Sequence, residues 1–359
     1  MVKLAALAVA VALLAPAATV AGVQFAKEDL QSDDSLWKLY ELWCARHKVA
    51  RDPGEKLRRF AIFKEKARRV YSFHLQVAGG TPLGLNIFAD QSDDEVRRDY
   101  RCGRPGPGVV NHGGMMERNV SAAVKRRGGD GTLPLPVEFD WRAKSCNGRP
   151  CLSPVKRQGP RCGACWAFAA TAALESHSAI RRNMRVRLSE QQLVDCDTHS
   201  FGCAGGFAIA AFYYVAKNGG LASSADYPYR ARNGTCKAAA TSQVDLGMTG
   251  YSRVPAYDEF QLLQAVTYGP VVVPIAATNS SSFYDYAGGL YRGPCGPAIT
   301  HEMLLVGYGY DHYVLRNSFG EGWGDKGYML LPRDSGSLGV LGTCRILMDG
   351  SAYPEIESL

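Results

Sequence analysis

An α+β fold in two lobes is predicted for residues 133–359, and three observations predict it. Helical periodicity comes first, at 165–180, from 189 onward, at 207–217 and at 258–268. Strand-like patterning follows, at 271–276, 299–306, 312–316 and 327–331. A Gly- and Pro-rich stretch, 101–132, separates all of this from an N-terminal helical unit. Helices followed by strands, rather than strict alternation, favour α+β over a doubly wound parallel sheet, and a cleft between two lobes is a favoured place for a site.

Taken in order, residues 1–22 read as a secretory signal: Lys3, an apolar run Leu4–Ala18, then small residues at Thr19, Ala21 and Gly22. The run is short for a membrane span, and no later stretch reaches the ~18 apolar residues that a span needs. Residues 23–100 read as a helical unit. Ser32-Asp33-Asp34 opens a helix with Leu36, Leu39, Tyr40 and Trp43 on one face. Asp52-Pro53-Gly54 breaks it, and Leu57, Phe60, Phe63, Ala67 and Val70 mark a second helix that Gly79-Gly80 ends. Leu83, Leu85 and Ile87 alternate as in a short strand. Residues 101–132 form an exposed linker, in which Lys125-Arg126-Arg127 is either a protease-cut site or a solvated charge cluster. In 133–359, Ser189-Glu190-Gln191-Gln192 is a capping box, Asn218-Gly219-Gly220 stops the helix at 207–217, and Gly269-Pro270 closes the one at 258–268.

The 359 residues carry a net charge of +7, but +6 of it lies in 1–132 and only +1 in 133–359. A uniformly basic nucleic-acid binder is thereby excluded. Eleven cysteines, two in the first part and nine in the second, cannot all pair internally. Cys162 and Cys165 form a CxxC, which by itself fits a redox pair or half a zinc site. No second ligand pair at zinc spacing follows, and a secreted chain is a poor setting for a reducing dithiol. Cys162 is therefore expected to be bridged and Cys165 free.

Cys165 stands where a loop becomes a helix, and unpaired backbone N–H groups there favour a thiolate. A cysteine nucleophile needs an acid/base partner. His177 lies twelve residues along the same helix, roughly 18 Å away, which excludes it. His199 sits in a loop between cysteines and His312 in a turn beside Asp311. A hairpin centred near Gly309 sets His301 across from Asn317, whose side chain would orient the imidazole. The result is a Cys165–His301–Asn317 constellation.

Those residues also carry a resemblance. Gln158-Gly159-Pro160-Arg161-Cys162-Gly163-Ala164-Cys165-Trp166-Ala167-Phe168 resembles the active-site segment of the papain family of cysteine proteases, cathepsin L-like in type. So do 135–142, 189–196, 202–206, Gly293-Pro294-Cys295-Gly296, His301, Asn317-Ser318-Phe319-Gly320 and Gly322-Trp323-Gly324, in family order. Upstream, Gly84, Asn86, Phe88 and Asp90 have the spacing of the GxNxFxD propeptide motif. Glu55, Arg59 and Phe63 fit the start of the helical ERFNIN motif, whose later positions hold Lys66, Val70 and His74 instead.

The resemblance implies a papain-like fold with a helical left lobe and a β-barrel-like right lobe, preceded by a helical propeptide. It implies a zymogen: signal 1–22, inhibitory propeptide 23–100, activation linker 101–132 and protease 133–359, with cleavage near 131–133 on acidification and the propeptide crossing the cleft in reverse of substrate direction. Cys165 would be the nucleophile, His301 the base and then the acid, Asn317 the orienting group, and Gln158 an oxyanion donor with the Cys165 N–H. Disulfides Cys162–Cys203, Cys196–Cys236 and Cys295–Cys344 are implied, which leaves Cys146–Cys151 as a fourth. Gly205 and Gly206 would admit substrate backbone. Phe207, Ala208, Pro274, Ile299 and Asp349 would line the pocket for the second residue before the cut, with Asp349 either admitting Arg or Lys or turned to solvent.

Partners implied are peptide and protein substrates, the chain's own propeptide and cystatin-like inhibitors, with no nucleic acid, no cofactor, no metal and a monomeric enzyme. The destination is extracellular or lysosomal/vacuolar, and Asn119, Asn233 and Asn279 are glycosylation candidates. Three features depart from the family pattern. The Gln158–Cys165 loop has one extra residue, Phe319 replaces Trp, and Thr300 stands where Asp often precedes the histidine. The longer loop leaves open a second reading, a catalytically weak homologue kept for binding or storage. An exopeptidase would be expected to carry a cleft-blocking insertion.

Overall fold

A computed structural model describes residues 23–76, 81–100, 117–119, 134–277, 281–333 and 339–358. Residues 1–22, most of the linker, Gly79-Gly80 and Asn279 lie outside the described residues.

Two antiparallel-packed helices open the described chain. Helix α1, Asp33–His47, starts where the Ser32 hydroxyl accepts the Ser35 N–H, and it ends on Lys48 in the left-handed region. Helix α2, Pro53–Gln76, begins on a proline, whose missing N–H costs nothing in a first turn. Leu36, Leu39, Tyr40 and Trp43 meet Phe60, Phe63 and Ala67 in one cluster. The Tyr40 and Phe63 rings lie 5.0 Å apart. Helix α3, Asp93–Tyr100, follows.

The strand expected at 83–88 is not continuous: Leu83 and Leu85 make isolated bridges to Tyr286 and Val23. The reason is Asn86. Its Nδ2 donates to the carbonyls of Tyr284 (2.7 Å) and Tyr286 (3.1 Å) while its Oδ1 accepts the Phe88 N–H at 2.9 Å. These side-chain bonds turn the backbone out of a ladder. Phe88, Val96 and Tyr100 consequently join the core of residues 134–358 rather than that of α1 and α2.

Helix α4, Cys165–Arg182, is the spine of the remaining chain and is buried from Cys165 to Ala179. Its alanines allow neighbours to approach closely, and it packs on both sheet and helices. Helix α5, Glu190–Cys196, is capped by Ser189, which accepts the Gln192 N–H at 3.0 Å. The reciprocal arm of the expected box is absent, because the Gln192 amide reaches Tyr214 and Gln243 instead. Helices α6, Ala208–Asn218, and α7, Glu259–Tyr268, match the sequence reading within a residue. Gly219, at φ +72°, ends α6.

The strands are β1 (Glu117–Asn119), β2 (Phe139–Asp140), β3 (Ser145–Cys146), β4 (Arg149–Pro150), β5 (Leu221–Ala222), β6 (Gln243–Val244), β7 (Met248–Arg253), β8 (Val271–Ile275), β9 (His301–Tyr308), β10 (His312–Arg316), β11 (Tyr328–Pro332) and β12 (Ala352–Ile356). The main sheet runs β1-β7-β12-β8-β9-β10-β11, with β2 also on β9. Its end strands do not pair, so among the described residues the barrel-like right lobe is an open sheet. Strand β1 corrects part of the linker reading: Glu117–Asn119 pairs in parallel with Tyr251–Arg253 on the edge of β7, where a free strand edge accepts any extended segment. The β9–β10 hairpin pairs Tyr308 with Tyr313, so its turn is centred slightly beyond Gly309, and a bulge at Val314/Leu315 shifts the register.

The four expected disulfides form: Cys146–Cys151, Cys162–Cys203, Cys196–Cys236 and Cys295–Cys344, with Cα–Cα distances of 5.0, 4.4, 4.8 and 4.9 Å. Cys44 is free and buried in the N-terminal cluster.

Candidate active site

Three elements carry the predicted residues, and Gln158 links two of them by bonding both Ser318, next to Asn317, and the Cys162 carbonyl, three residues before Cys165. Helix α4 presents Cys165 at its N-terminus, where Ala164 supplies no side-chain cap and backbone N–H groups face the sulfur's surroundings. Strand β9 presents His301 as its first residue, and Asn317 follows the last residue of β10. His301 Nε2 donates to Asn317 Oδ1 at 2.8 Å. That oxygen also accepts the Ser318 N–H at 2.7 Å, which fixes the amide. With Nε2 holding the proton, Nδ1 is the basic nitrogen.

His301 is 3% exposed and is driven down to about 4 by burial, with the Asn317 bond opposing the shift. The imidazole is therefore neutral in this form, as a general base must be. Phe319 covers the pair, its ring 5.1 Å from that of His301. Phe283 and Trp323 pack on Phe319 at 6.3 and 5.6 Å, so the aromatic roof survives the missing indole. Phe88 and Tyr100 of the N-terminal unit complete it from outside, at 5.5 and 5.4 Å.

The loop before Cys165 absorbs its additional residue with Gly159 and Arg161 at φ +71° and +67°. Arg161 in this region is strained by ~1–2 kcal/mol. Its N–H is held by the Asp99 carbonyl at 2.8 Å. Gln158 is fully buried, with its Oε1 accepting from Ser318 Oγ at 2.7 Å and its Nε2 donating to the Cys162 carbonyl at 3.2 Å. The sequence reading missed Ser318 as the anchor of Gln158. Lys156, two residues earlier, donates to Glu175 and Glu190 at 2.6 Å each and ties this segment to α4 and α5.

The expectation that Cys165 is free is corrected. Its sulfur is disulfide-bonded. The other eight cysteines of this region pair among themselves and Cys44 is free, so the partner lies outside the described residues.

The other histidines are occupied elsewhere. His177 bonds the Pro270 carbonyl at 2.9 Å, His199 faces Asp197, and His312 bonds Asp311 at 2.7 Å. Gly205 has φ +124°. Gly206 is required for packing as well as for any ligand, since a Cβ there would lie 2.7 Å from the Trp166 ring. Ala208 and Pro274 are buried, and Phe207 and Ile299 are half-buried. Asp349 is exposed and bound to Arg253 through both carboxylate oxygens, at 2.6 and 2.8 Å. With its charge already matched, Asp349→Ala is expected to change cleavage after Arg- or Lys-bearing substrates less than about twofold relative to Leu-bearing ones. A peptide-library profile of the two enzymes measures this. Asn233 is exposed, and its Oδ1 accepts the Cys203 N–H at 2.7 Å. Asn119 ends β1.

Residues 135–353 match the model of the papain family cysteine protease, and residues 40–96 match that of the cathepsin propeptide inhibitor domain (I29). This chain belongs to the papain family of cysteine proteases. It is 39% identical to the cysteine endopeptidase Rep1 of Oryza sativa subsp. japonica, over 97% of this chain and 92% of that protein. It is 38% identical to the cysteine proteinase EP-B 1 of Hordeum vulgare, over 98% and 93%. Among solved structures it resembles the Amb a 11 cysteine protease, a ragweed pollen allergen, in its proform (TM-score 0.74, 32% identity, 94% of this chain and 100% of that chain). It also resembles a recombinant stem bromelain precursor (TM-score 0.73, 35% identity, 90% and 99%). The helical unit α1–α3 is thus an inhibitory propeptide domain, and the protein is a papain-type cysteine endopeptidase in zymogen form. Among the described residues no helix is long and apolar enough to cross a membrane.

Proposed function

We propose that the released enzyme hydrolyses peptide bonds through Cys165, His301 and Asn317. The observation that carries this reading is the buried, roofed His301–Asn317 bond, with Cys165 as the first residue of its helix. An external thiol first reduces the Cys165 disulfide by exchange, is itself oxidised to a disulfide, and leaves Cys165 as a thiol. His301 Nδ1 then takes the thiol proton, the thiolate attacks the peptide carbonyl, and the imidazolium returns the proton to the leaving amine. Water, deprotonated by the same nitrogen, hydrolyses the thioester. Gln158 and the Cys165 N–H are the proposed oxyanion donors, and Phe207, Ala208, Pro274 and Ile299 line the substrate pocket, which favours an apolar side chain. Cleavage near 131–133 separates propeptide 23–100 and linker 101–132 from protease 133–359, after removal of signal 1–22 in the secretory pathway. A monomeric enzyme, extracellular or vacuolar/lysosomal, glycosylated at Asn119, Asn233 or Asn279 and open to cystatin-like inhibitors, completes the reading.

Acid release follows from His47. Its Nε2 is buried without a hydrogen-bond partner, its ring lies 5.4 Å from Trp43, and Nδ1 lies against Gly322 of the protease. Burial lowers its pKa below 6.5, with a backbone bond to Leu85 opposing and Arg46 and Arg157 adding to the shift against Asp90. The undocked imidazole therefore binds a proton before the docked one does. Docking is fully stable above pH 6.5 and weakens as pH falls through the docked value. Asp93 behaves otherwise. Burial raises its pKa, but Arg69 and Lys66 outweigh burial and hold it below 3.8, so its ion pairs outlast the acidification that protonates His47. Purified proform, incubated with reductant from pH 7 to pH 4, is expected to autoprocess, and His47→Gln is expected to move the midpoint to lower pH. A proform that neither processes nor takes up a thiol-directed epoxide at any pH contradicts the enzymatic reading.

A further inference from the structure

Glu302 is a carboxyl in a place where peptide hydrolysis asks for none. It follows His301 on β9, so its side chain leaves the opposite face of the strand. It is 7% exposed, and its Oε2 accepts the Ala208 N–H at 3.0 Å. Ala208 is the first residue of α6, and Phe207 before it offers no side-chain cap. A strand residue thus satisfies an orphan N–H of a helix 94 positions earlier in the chain. Directly across the β8–β9 ladder from Glu302 is Pro274. On its remaining side lies a cavity of about 10 Å³, the size of one water, lined by Ala169 and Ala172 of α4 together with Lys156, Arg316 and Asn317.

We propose that Glu302 is a positioning residue, which clamps the start of α6, and with it the Phe207–Ala208 wall of the substrate pocket, to the strand that carries His301. The proposal rests on the assignment of Phe207, Ala208 and Pro274 to that wall. One oxygen accepts from Ala208, and the protonated oxygen donates into the water-sized cavity. Burial pushes the carboxyl up to about 8, with the Ala208 bond opposing. The charges that face it are Arg316 and Lys156 across the cavity, with Glu175 and Glu190 behind Lys156 and His301 on the other face of its own strand. Because the folded value is raised above 4.5, the stabilising effect is complete below pH 4.5 and is lost as pH rises through 8. Ionisation strengthens the Ala208 bond but leaves a buried charge beside a cavity too small to hydrate it, and because burial outweighs that bond the clamp yields toward water in alkali. A pocket built in this way is tight in an acidic compartment and slack outside it.

The test compares mature enzyme with Glu302→Gln and Glu302→Leu from pH 5 to 9. Gln keeps an acceptor for Ala208 and cannot ionise. It is expected to retain kcat/KM within about twofold at pH 5.5 and to abolish the fall in kcat/KM above pH 8 that the parent is expected to show through KM rather than kcat. Leu leaves the Ala208 N–H unmatched and is expected to raise KM about tenfold at pH 5.5, with kcat little changed and altered selectivity for the second residue before the cut. Superimposable parent and Gln profiles, or a Leu enzyme with unaltered KM and selectivity, overturn the proposal. Should Leu not fold, the Gln profile decides alone. Thermal unfolding of parent and Gln enzymes gives a readout that needs no activity. A parent Tm that drops from pH 5 to 9 relative to Gln supports the clamp even if the proposed hydrolysis fails, and parallel Tm curves reject it.

Discussion

Replacing Cys165 by serine is expected to lower peptide hydrolysis by about 10⁴-fold or more, with His301→Ala costing a similar amount and the double variant little worse than either. The near-equality of single and double losses is the informative part. A nucleophile and its base act as one unit, so removing either forfeits the whole step. Two residues that merely stabilise the cleft would instead show additive losses. Because the Cys165 sulfur is bridged in the proform, a thiol-directed epoxide is expected to label parent proform only after reductant is added. Labelling that ignores reductant contradicts the requirement for reduction, and labelling of Cys165→Ser assigns the reactive thiol elsewhere. Asn317→Ala is expected to fall between these extremes. It removes the acceptor at 2.8 Å that selects the His301 tautomer, but leaves the imidazole and its Phe319 roof in place.

What was legible in the sequence was whatever depends on neighbours along the chain. Asp52-Pro53-Gly54 separates α1 from α2 because proline starts a helix more easily than it continues one. The ends of α6 and α7 follow from Gly219 and Gly269. Hairpin arithmetic found the His301–Asn317 pair but not its register: Leu304 pairs with Arg316, which sets Asn317 two residues from the position across from His301, and the two side chains meet on the diagonal. What was not legible depends on partners distant in sequence. Asp349 is neutralised by Arg253, 96 positions away. Residues 83–88 alternate like a strand, yet the Asn86 amide takes hydrogen bonds to Tyr284 and Tyr286 that no local pattern reveals. Strand β1 exists only because β7 offers an edge. Glu302 was invisible for a related reason. On a strand buried along its whole length, a lone carboxyl reads as an outward residue until its helix partner is known. The bridging of Cys165 could not be read from the nine cysteines of its own region, whose other eight pair among themselves.

Asp285→Asn is expected to unlatch the zymogen while sparing the mature enzyme. Asp285 is fully buried in the proform, with Lys66 Nζ at 3.0 Å and Arg69 at 2.6 Å, both from α2 of the propeptide. Lys66 is itself 3% exposed, and its other carboxylate, Asp93, is farther away at 3.6 Å. Removing one member of a buried pair leaves an uncompensated charge and typically costs about 3–5 kcal/mol. Here Asp93 compensates in part and Arg69 is 40% exposed, so about 2 kcal/mol is the expected loss, or roughly a 30-fold weaker grip of propeptide on protease. The amide of Asn occupies the same volume, and the Asp285 carbonyl that accepts the Gly84 N–H at 2.9 Å is untouched, so the effect is one of charge. Once the propeptide has left, no cation among the described protease residues pairs with position 285, and kcat/KM of the mature variant is expected to stay within about twofold of the parent. The measurement is the rate of proform conversion at pH 6 with reductant, where the parent is held shut: the Asn variant is expected to convert tens of times faster. A conversion rate equal to the parent's would mean that the Asn86, Phe88 and Tyr100 contacts hold the propeptide by themselves, and that the Lys66–Asp285–Arg69 cluster serves only to orient α2.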